Sequence, residues 1–507
     1  MPEIEPQTGP QREERWLLAL YATLALLSLV PFWTVHYLPT VDGPCHTYNS
    51  WVLLHHGDPR YPLFGQYYKI NAEPYPNWIG HATLALLMLA VPPLVAEKIL
   101  VSAYALTFLA GAWYLAGSVR PGNRWLALLA LPFVFNFLFQ FGFYNFSISL
   151  GLFLFIVGLW WRHRDRPGSP VYVVGINLLL GLCYFSHILS FGLALLAIAV
   201  LWLATLRRDT WRRHLLHVPV LAPQGFLPVW YLTREGGSSI ASYWQLSRLV
   251  SYFVSLKVLS PFGGHQDWVA GLLALIFLAL LLLTLWREGL RPWRQEHAFL
   301  LLAAFFTLLY FASPEGVAGG SMLKNRLSLY PWLLLIPWLA PGLGPRGRRL
   351  AAAALALVAL LNLAFVVRWY GRLSGDMAGY LAGLATVEPG SRVLPVSFFH
   401  QPHDSRLDIL GHAMSYAALE KGLVDWDNYE ATLTYFPLQF ADSVPWPPIG
   451  DIEARPGRIH VRQWTHRADY VYTWRMNPQH PFKGRLERYY QPVAEVDGGG
   501  VLWKRLP

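Results

Sequence analysis

The chain has 507 residues, of which 14% are charged and 54% hydrophobic, and its formal net charge is +10. Soluble domains carry about a quarter charged residues, so a string of soluble domains is excluded. A nucleic-acid binder is excluded as well, because the arginines sit in short loops between apolar runs rather than along one stripe, which is the charge pattern of membrane topology.

The apolar residues are clustered. Runs at 17–30 (LLALYATLALLSLV), 271–285 (GLLALIFLALLLLTL) and 351–367 (AAAALALVALLNLAFVV) contain no charge. A bilayer core requires roughly 20 mostly apolar residues per helix, and only helices satisfy their own backbone groups in such segments. The first run is long and no small-residue cleavage site follows it, so it is expected to be a retained span rather than a signal peptide. In chain order the candidate spans are 16–37, 78–92, 95–118, 124–140, 142–161, 171–186, 188–206, 214–232, 267–286, 297–312, 325–341 and 349–369. The fold class is therefore mostly α, a polytopic transmembrane bundle of about 11–13 spans.

Four basic loops separate the later spans: Arg162, Arg164 and Arg166; Arg207, Arg208, Arg212 and Arg213; Arg287, Arg291 and Arg294; Arg346, Arg348 and Arg349. The positive-inside rule makes these cytoplasmic. Alternation then places 233–266, 313–324 and everything after 369 on the outer side, so either 78–118, broken at Pro92-Pro93, crosses only once or the N-terminus is outside; eleven net crossings and an outside first loop are the expectation adopted. Segment 241–259 mixes Arg248 and Lys257 with Trp244, Tyr252 and Phe253, the composition of a helix lying in the interface. No internal repeat or low-complexity tract is visible.

Residues 370–507, with Asp376, Asp404, Asp408, Asp425, Asp427, Asp451 and Asp469, have soluble composition. There 391–399, 468–474 and 499–505 read as strands and 376–386 and 408–421 as helices, a small α/β domain. Two domains are thus expected: a transmembrane domain over 1–369 and an extracytoplasmic soluble domain over 370–507.

Three places carry candidate chemistry. Directly after the first span comes VDGPCHTYN at 41–49. A helix starting near Pro44 sets Asp42 and His46 one turn apart at the membrane surface, where a carboxylate can take a proton and an imidazole can orient an acceptor or touch a phosphate. The plainer reading makes Asp42 the cap of that helix. The second place is 313–330, SPEGVAGGSMLKNRLSLY. Here Lys324 and Arg326 enter a span, and Arg can fork onto a phosphate; snorkelling or capping of a span is the plainer alternative. Third are polar residues at membrane depth: His187, Tyr144 and Asn145 face a cavity or a neighbouring helix, while Glu97 and Lys98 read as interfacial. Cys45 and Cys183 define no disulfide framework or zinc site. The tail histidines His400, His403 and His412 are dispersed and predict no metal site. P-loop, Rossmann, HExxH and GxSxG patterns are absent from the sequence.

The order of these features resembles the bacterial GT-C superfamily of membrane glycosyltransferases, in an uncharacterised branch. The likeness lies in an acidic residue just after span one (Asp42 in VDGPCH), PNWIGH at 76–81, FGFYNF at 141–146, SHILSFG at 186–192, KNR at 324–326 and a soluble outer tail. It implies transfer of a sugar from a polyprenyl-phosphate carrier to a glycan, lipid or protein acceptor at the outer face of the cytoplasmic (inner) membrane of a bacterial envelope. By the resemblance Asp42 is the catalytic carboxylate, Arg326 and Lys324 stabilise the leaving phosphate, and His46, His187, Asn145 and Tyr144 contact donor or acceptor. The partners implied are membrane lipid and a lipid-linked sugar, with no nucleic acid. Many GT-C members pair acids in the first loop, whereas Gly43 follows Asp42 here. A divalent metal is thus possible but not indicated by the sequence, and a polyprenyl-phosphate sugar is implied as the donor substrate. The rival classes are a non-catalytic protein of envelope assembly and a transporter.

Overall fold

The computed structural model describes residues 9–507 except 236–238, 241, 291, 318–319 and 404. Arg291, Ala241, Asp404 and short pieces of the 233–266 and 313–324 loops therefore lie outside the described residues. Among the described residues, eight helices are long and apolar enough to cross a membrane by length and composition, and three shorter apolar helices, Trp78–Met88, Pro170–Ser186 and His297–Ala312, accompany them. Together they account for every expected span but one. Segment 325–341 is instead broken into Leu323–Leu327, Tyr330–Leu335 and Ile336–Trp338, almost wholly buried. Pro331 and Pro337 lack backbone donors, and each falls at the start of one of the pieces. Segment 214–232 is likewise assembled from short pieces around Pro219, Pro223 and Pro228.

The chain folds as two compact units. One comprises 1–31, 102–138 and 146–367; the other gathers 32–101, 139–145 and 368–507. The 38-residue helix Pro345–Ala382 carries the chain from the first to the second.

The first unit is helical and its outward faces are apolar. On Gly264–Glu288, Leu275, Leu278 and Leu282 are exposed, and Trp268 and Trp286, 81% and 74% exposed, mark its ends. Eighteen residues of helix span about 27 Å, close to the hydrocarbon thickness, and tryptophans at that spacing suit the two membrane interfaces. Inside, apolar helices gain little from burying apolar surface in lipid, so hydrogen bonds between small polar residues hold them. Ser149 Oγ donates to Ser190 Oγ at 2.6 Å, and Ser190 Oγ meets the Tyr330 hydroxyl at 2.9 Å. The segment expected to lie in the interface forms the helix Leu246–Val254, with Arg248 stacked on Trp244 at 3.9 Å.

In the second unit a five-stranded mixed sheet runs in the order Val424–Asp425, Arg392–Ser397, Tyr470–Trp474, Gly500–Arg505, Tyr490–Val496. Arg392–Ser397 is parallel to both its neighbours, whereas the last two strands form an antiparallel hairpin. The two central strands are buried almost throughout, as expected for parallel strands covered on both faces. The three strands expected from sequence are all present, and the hairpin partner Tyr490–Val496 was missed because its solvent-facing residues alternate weakly. The expected 408–421 helix shortens to Met414–Lys421. A further ladder pairs Tyr68–Ile70 antiparallel with Leu438–Phe440, tying the first loop to the C-terminal segment.

This unit also fixes the start of the helix Gly43–His55. The Val41 and Asp42 amides donate to the Gln140 and Phe141 carbonyls at 3.3 and 3.0 Å. Gly142 follows at φ +96°, and a Cβ there would collide with the Asp42 and Gly43 backbone, so the position requires glycine. The FGFY turn is thus the mould against which Asp42 is set.

Candidate functional site

Pro44 opens the helix Gly43–His55, where its missing N–H costs nothing. Asp42 precedes it, yet its side chain makes no capping hydrogen bond. The carboxylate instead turns to the C-terminal segment: Tyr429 donates its hydroxyl to Oδ2 at 2.9 Å, and His412 Nε2 lies 3.7 Å from Oδ1. Asp42 is 3% exposed. The cap reading is therefore replaced by a buried carboxylate held by a phenol and an imidazole.

His412 is itself bracketed by acids, with Nδ1 3.4 Å from Asp427 Oδ2 and Nε2 3.7 Å from Glu453 Oε1. Burial disfavours its charge, but Asp427, Asp42 and Glu453 outweigh that and push it up to about 10. Burial pushes Asp42 up to about 6, while His412, His46 and Tyr429 restrain the rise. At neutral pH an ionised Asp42 thus faces an imidazolium, with a pKa close to the operating range of a general base. Glu453 also lines an open depression of about 340 Å³ whose wall carries His400, Arg455, Arg458 and His480.

His46 lies one turn after Asp42 but is claimed by a different partner. Its Nδ1 is 2.5 Å from Glu430 Oε1 and 3.4 Å from His81 Nε2, and His81 Nε2 is 2.9 Å from Glu430 Oε2. Burial alone would raise the Glu430 carboxyl, but His46 and His81 hold it far below the usual carboxylate range. Asn49 donates to Glu430 Oε2 at 2.7 Å. His46 is thus buried and paired rather than solvated. Among the described residues, two groups bring three possible metal ligands within 4.8 Å of one another: His46, His81 and Glu430, and His412, Asp427 and Glu453.

Tyr144 and Asn145 support the same neighbourhood. Tyr144 donates to Glu97 Oε1 and Tyr416 to Glu97 Oε2, both at 2.7 Å. Asn145 accepts the Gly80 amide at 2.7 Å and donates to the Asn77 carbonyl at 3.1 Å. Glu97, 1% exposed and near the start of the helix Pro93–Val119, is therefore a buried hydrogen-bond hub. Lys98 spends its ammonium on the Val35 carbonyl at 2.6 Å.

Arg326, Lys324 and His187 belong to the first unit. Arg326 Nη1 lies 2.5 Å from His187 Nε2, and its guanidinium is 5.3 Å from the Phe146 ring. His187 Nδ1 accepts the Leu189 amide at 3.2 Å and caps Ile188–Thr205. His187 thus holds the Leu189 amide with one ring nitrogen and meets the Arg326 guanidinium with the other. Lys324 is fully buried and donates to the Tyr310 and Phe311 carbonyls at 2.7 and 3.2 Å. It caps the end of His297–Ala312 with two of its three N–H donors.

Sequence reasoning did not single out Tyr429, Asp427, Glu430, His81 or the partnership of His412 with Asp42. The available signal was DWDNYE at 425–430, three acids and an asparagine in six residues.

With this geometry, the fold matches those of two solved proteins, ArnT and the arabinofuranosyltransferase AftD. ArnT from Cupriavidus metallidurans in the apo state matches with a TM-score of 0.55 at 11% identity, over 97% of this chain and 98% of that one. ArnT bound to undecaprenyl phosphate matches at 0.53 and 13% identity, with the same coverage. The mycobacterial arabinofuranosyltransferase AftD matches at 0.52 and 17% identity over 97% of this chain, which spans 40% of AftD. No family model matches the sequence, and no curated protein matches it.

Asp42 should titrate near pH 6. In infrared difference spectra against Asp42→Asn, its protonated C=O stretch is expected to disappear with that midpoint. His412→Asn removes a cation that favours the carboxylate, so the midpoint should move upward. A midpoint at the ordinary 3.8 in both proteins would contradict the site as described.

Proposed function

We propose that this multi-pass membrane protein is a glycosyltransferase that moves a sugar from a polyprenyl-phosphate carrier to an acceptor at the outer face of the cytoplasmic membrane. The observation that carries the reading is the buried Asp42 carboxylate, held by Tyr429 and His412 on a GT-C fold. In the reaction an acceptor hydroxyl attacks the anomeric carbon and its proton passes to Asp42. The bond from that carbon to the phosphate oxygen breaks, and the polyprenyl phosphate departs with the electron pair. Carboxylate assistance of this kind is worth about 10²–10⁴ in rate.

A lipid-phosphate role for Arg326 is supported by its buried guanidinium beside His187, because a guanidinium can fork onto two phosphate oxygens. Support for ArnT-like donor use comes from the ArnT structure with undecaprenyl phosphate. Tyr144 and Asn145 are assigned to positioning the FGFYNF turn, consistent with their internal hydrogen bonds.

Incubated with a panel of polyprenyl-phosphate sugars, the purified protein should release polyprenyl phosphate from at least one. Arg326→Lys keeps the charge but loses the fork, and should weaken polyprenyl-phosphate binding about tenfold, ~1.4 kcal/mol. Binding equal to the parent in a folded variant removes Arg326 from this role.

The outer-face assignment rests on the arginines of the four basic loops and extends to residues 370–507, the proposed soluble domain. Asp497 is exposed in the terminal hairpin, and both native cysteines are buried. A cysteine at Asp497→Cys should react with an impermeant thiol reagent in intact cells. Labelling only after lysis would reverse the orientation.

A further inference from the structure

We propose that His46, His81 and Glu430 form a binding site for a transition-metal ion of the zinc class. The inference stands apart from the transferase reading, since it concerns only what these three side chains hold.

All three are buried, with Glu430 fully enclosed. His81 Nδ1 lies 3.0 Å from the Asn77 carbonyl and gives it the ring hydrogen, which leaves the Nε2 lone pair directed at Glu430 and His46. That is the arrangement of a metal-ligating histidine, whose second nitrogen is fixed by a backbone carbonyl. Asn77 holds the carbonyl in place through its left-handed backbone, φ 68°, at the start of Trp78–Met88. The two ligand nitrogens are 3.4 Å apart. Two nitrogens bound tetrahedrally at zinc distances of about 2.0–2.1 Å are separated by about 3.4 Å. A Glu430 oxygen lies beside each nitrogen, and Asn49 orients the carboxylate from behind.

Without an ion, His46 gives Glu430 its Nδ1 hydrogen, and His81, whose Nδ1 hydrogen goes to Asn77, needs an extra proton at Nε2 to face the carboxylate, with the two ligand nitrogens 3.4 Å apart. A cation supplies the same neutralisation through two lone pairs and one carboxylate. Two imidazoles and a carboxylate suit zinc and its neighbours; calcium and magnesium prefer oxygen alone. Three protein ligands leave a fourth position for water or an anion. His46 leads back one turn to Asp42 on the same helix, so the ion would brace that helix start.

The test is elemental analysis of the full-length protein in detergent after zinc supplementation and removal of loosely bound metal. About one zinc per chain is expected in the parent and in His480→Ala, a histidine elsewhere in the same unit. His81→Ala with Glu430→Gln should lose most of it. Should that variant fail to fold, the metal-free parent loaded with cobalt(II) is read by its visible absorption, where an intense tetrahedral band is expected. Parent protein without stoichiometric metal, a double variant that keeps its zinc, or a cobalt sample without the band overturns the site. None of these readouts depends on sugar transfer.

Discussion

A carboxylate removed from water must be compensated where it lies, because an isolated buried charge costs far more than a domain can spare. Asp42 imposes this constraint on the second unit. Its compensation comes from residues almost 400 positions later, so the 425–430 run, the Gly43–His55 helix and the 140–142 turn have to meet at one place. The ladder between Tyr68–Ile70 and Leu438–Phe440 and the hydrogen bonds from 41–42 to 140–141 bring the three segments together.

Around that point the unit repeats one solution, an acid buried and answered by neutral donors or imidazoles. Glu97 receives two tyrosine hydroxyls, Glu430 faces two histidines and an asparagine, and Asp425 accepts from Ser415 and from the Asp427 amide. None of these acids pairs with lysine or arginine. Hydroxyls and imidazoles fix each acid's geometry, and Asp42, held by the Tyr429 hydroxyl and the His412 imidazolium, is left poised near its titration point. The backbone contributes by close approach: Gly142 and Gly43 admit neighbours that any side chain would displace.

Composition and apolar runs made the membrane helices legible, since their signal is local and repeated over many turns. Prolines explain where that signal misled: 325–341 is apolar enough for a span, but Pro331 and Pro337 divide it. Asp42 was legible from its place after the first span, and the pairing of Arg326 with His187 only as two separate residues. The partners of Asp42 were not legible, because a contact between 42 and 412 or 429 leaves no periodic trace in a single sequence. Lys324 shows the converse limit. A cation beside a span end fits a phosphate ligand and a helix cap equally well in the sequence, and the Tyr310 and Phe311 carbonyls it caps show only in the structure.

The central claim is that Asp42 does chemistry and not only structure, and one substitution separates the two. Asp42→Asn keeps the size of the side chain and an oxygen to accept the Tyr429 hydroxyl, while removing the charge. With a lipid-linked sugar that the parent protein turns over, the variant should be expressed and melt like the parent, yet release polyprenyl phosphate about 10²–10⁴ times more slowly, about 3–5 kcal/mol of barrier. Release within threefold of the parent would contradict the account and leave Asp42 as a buried structural acid.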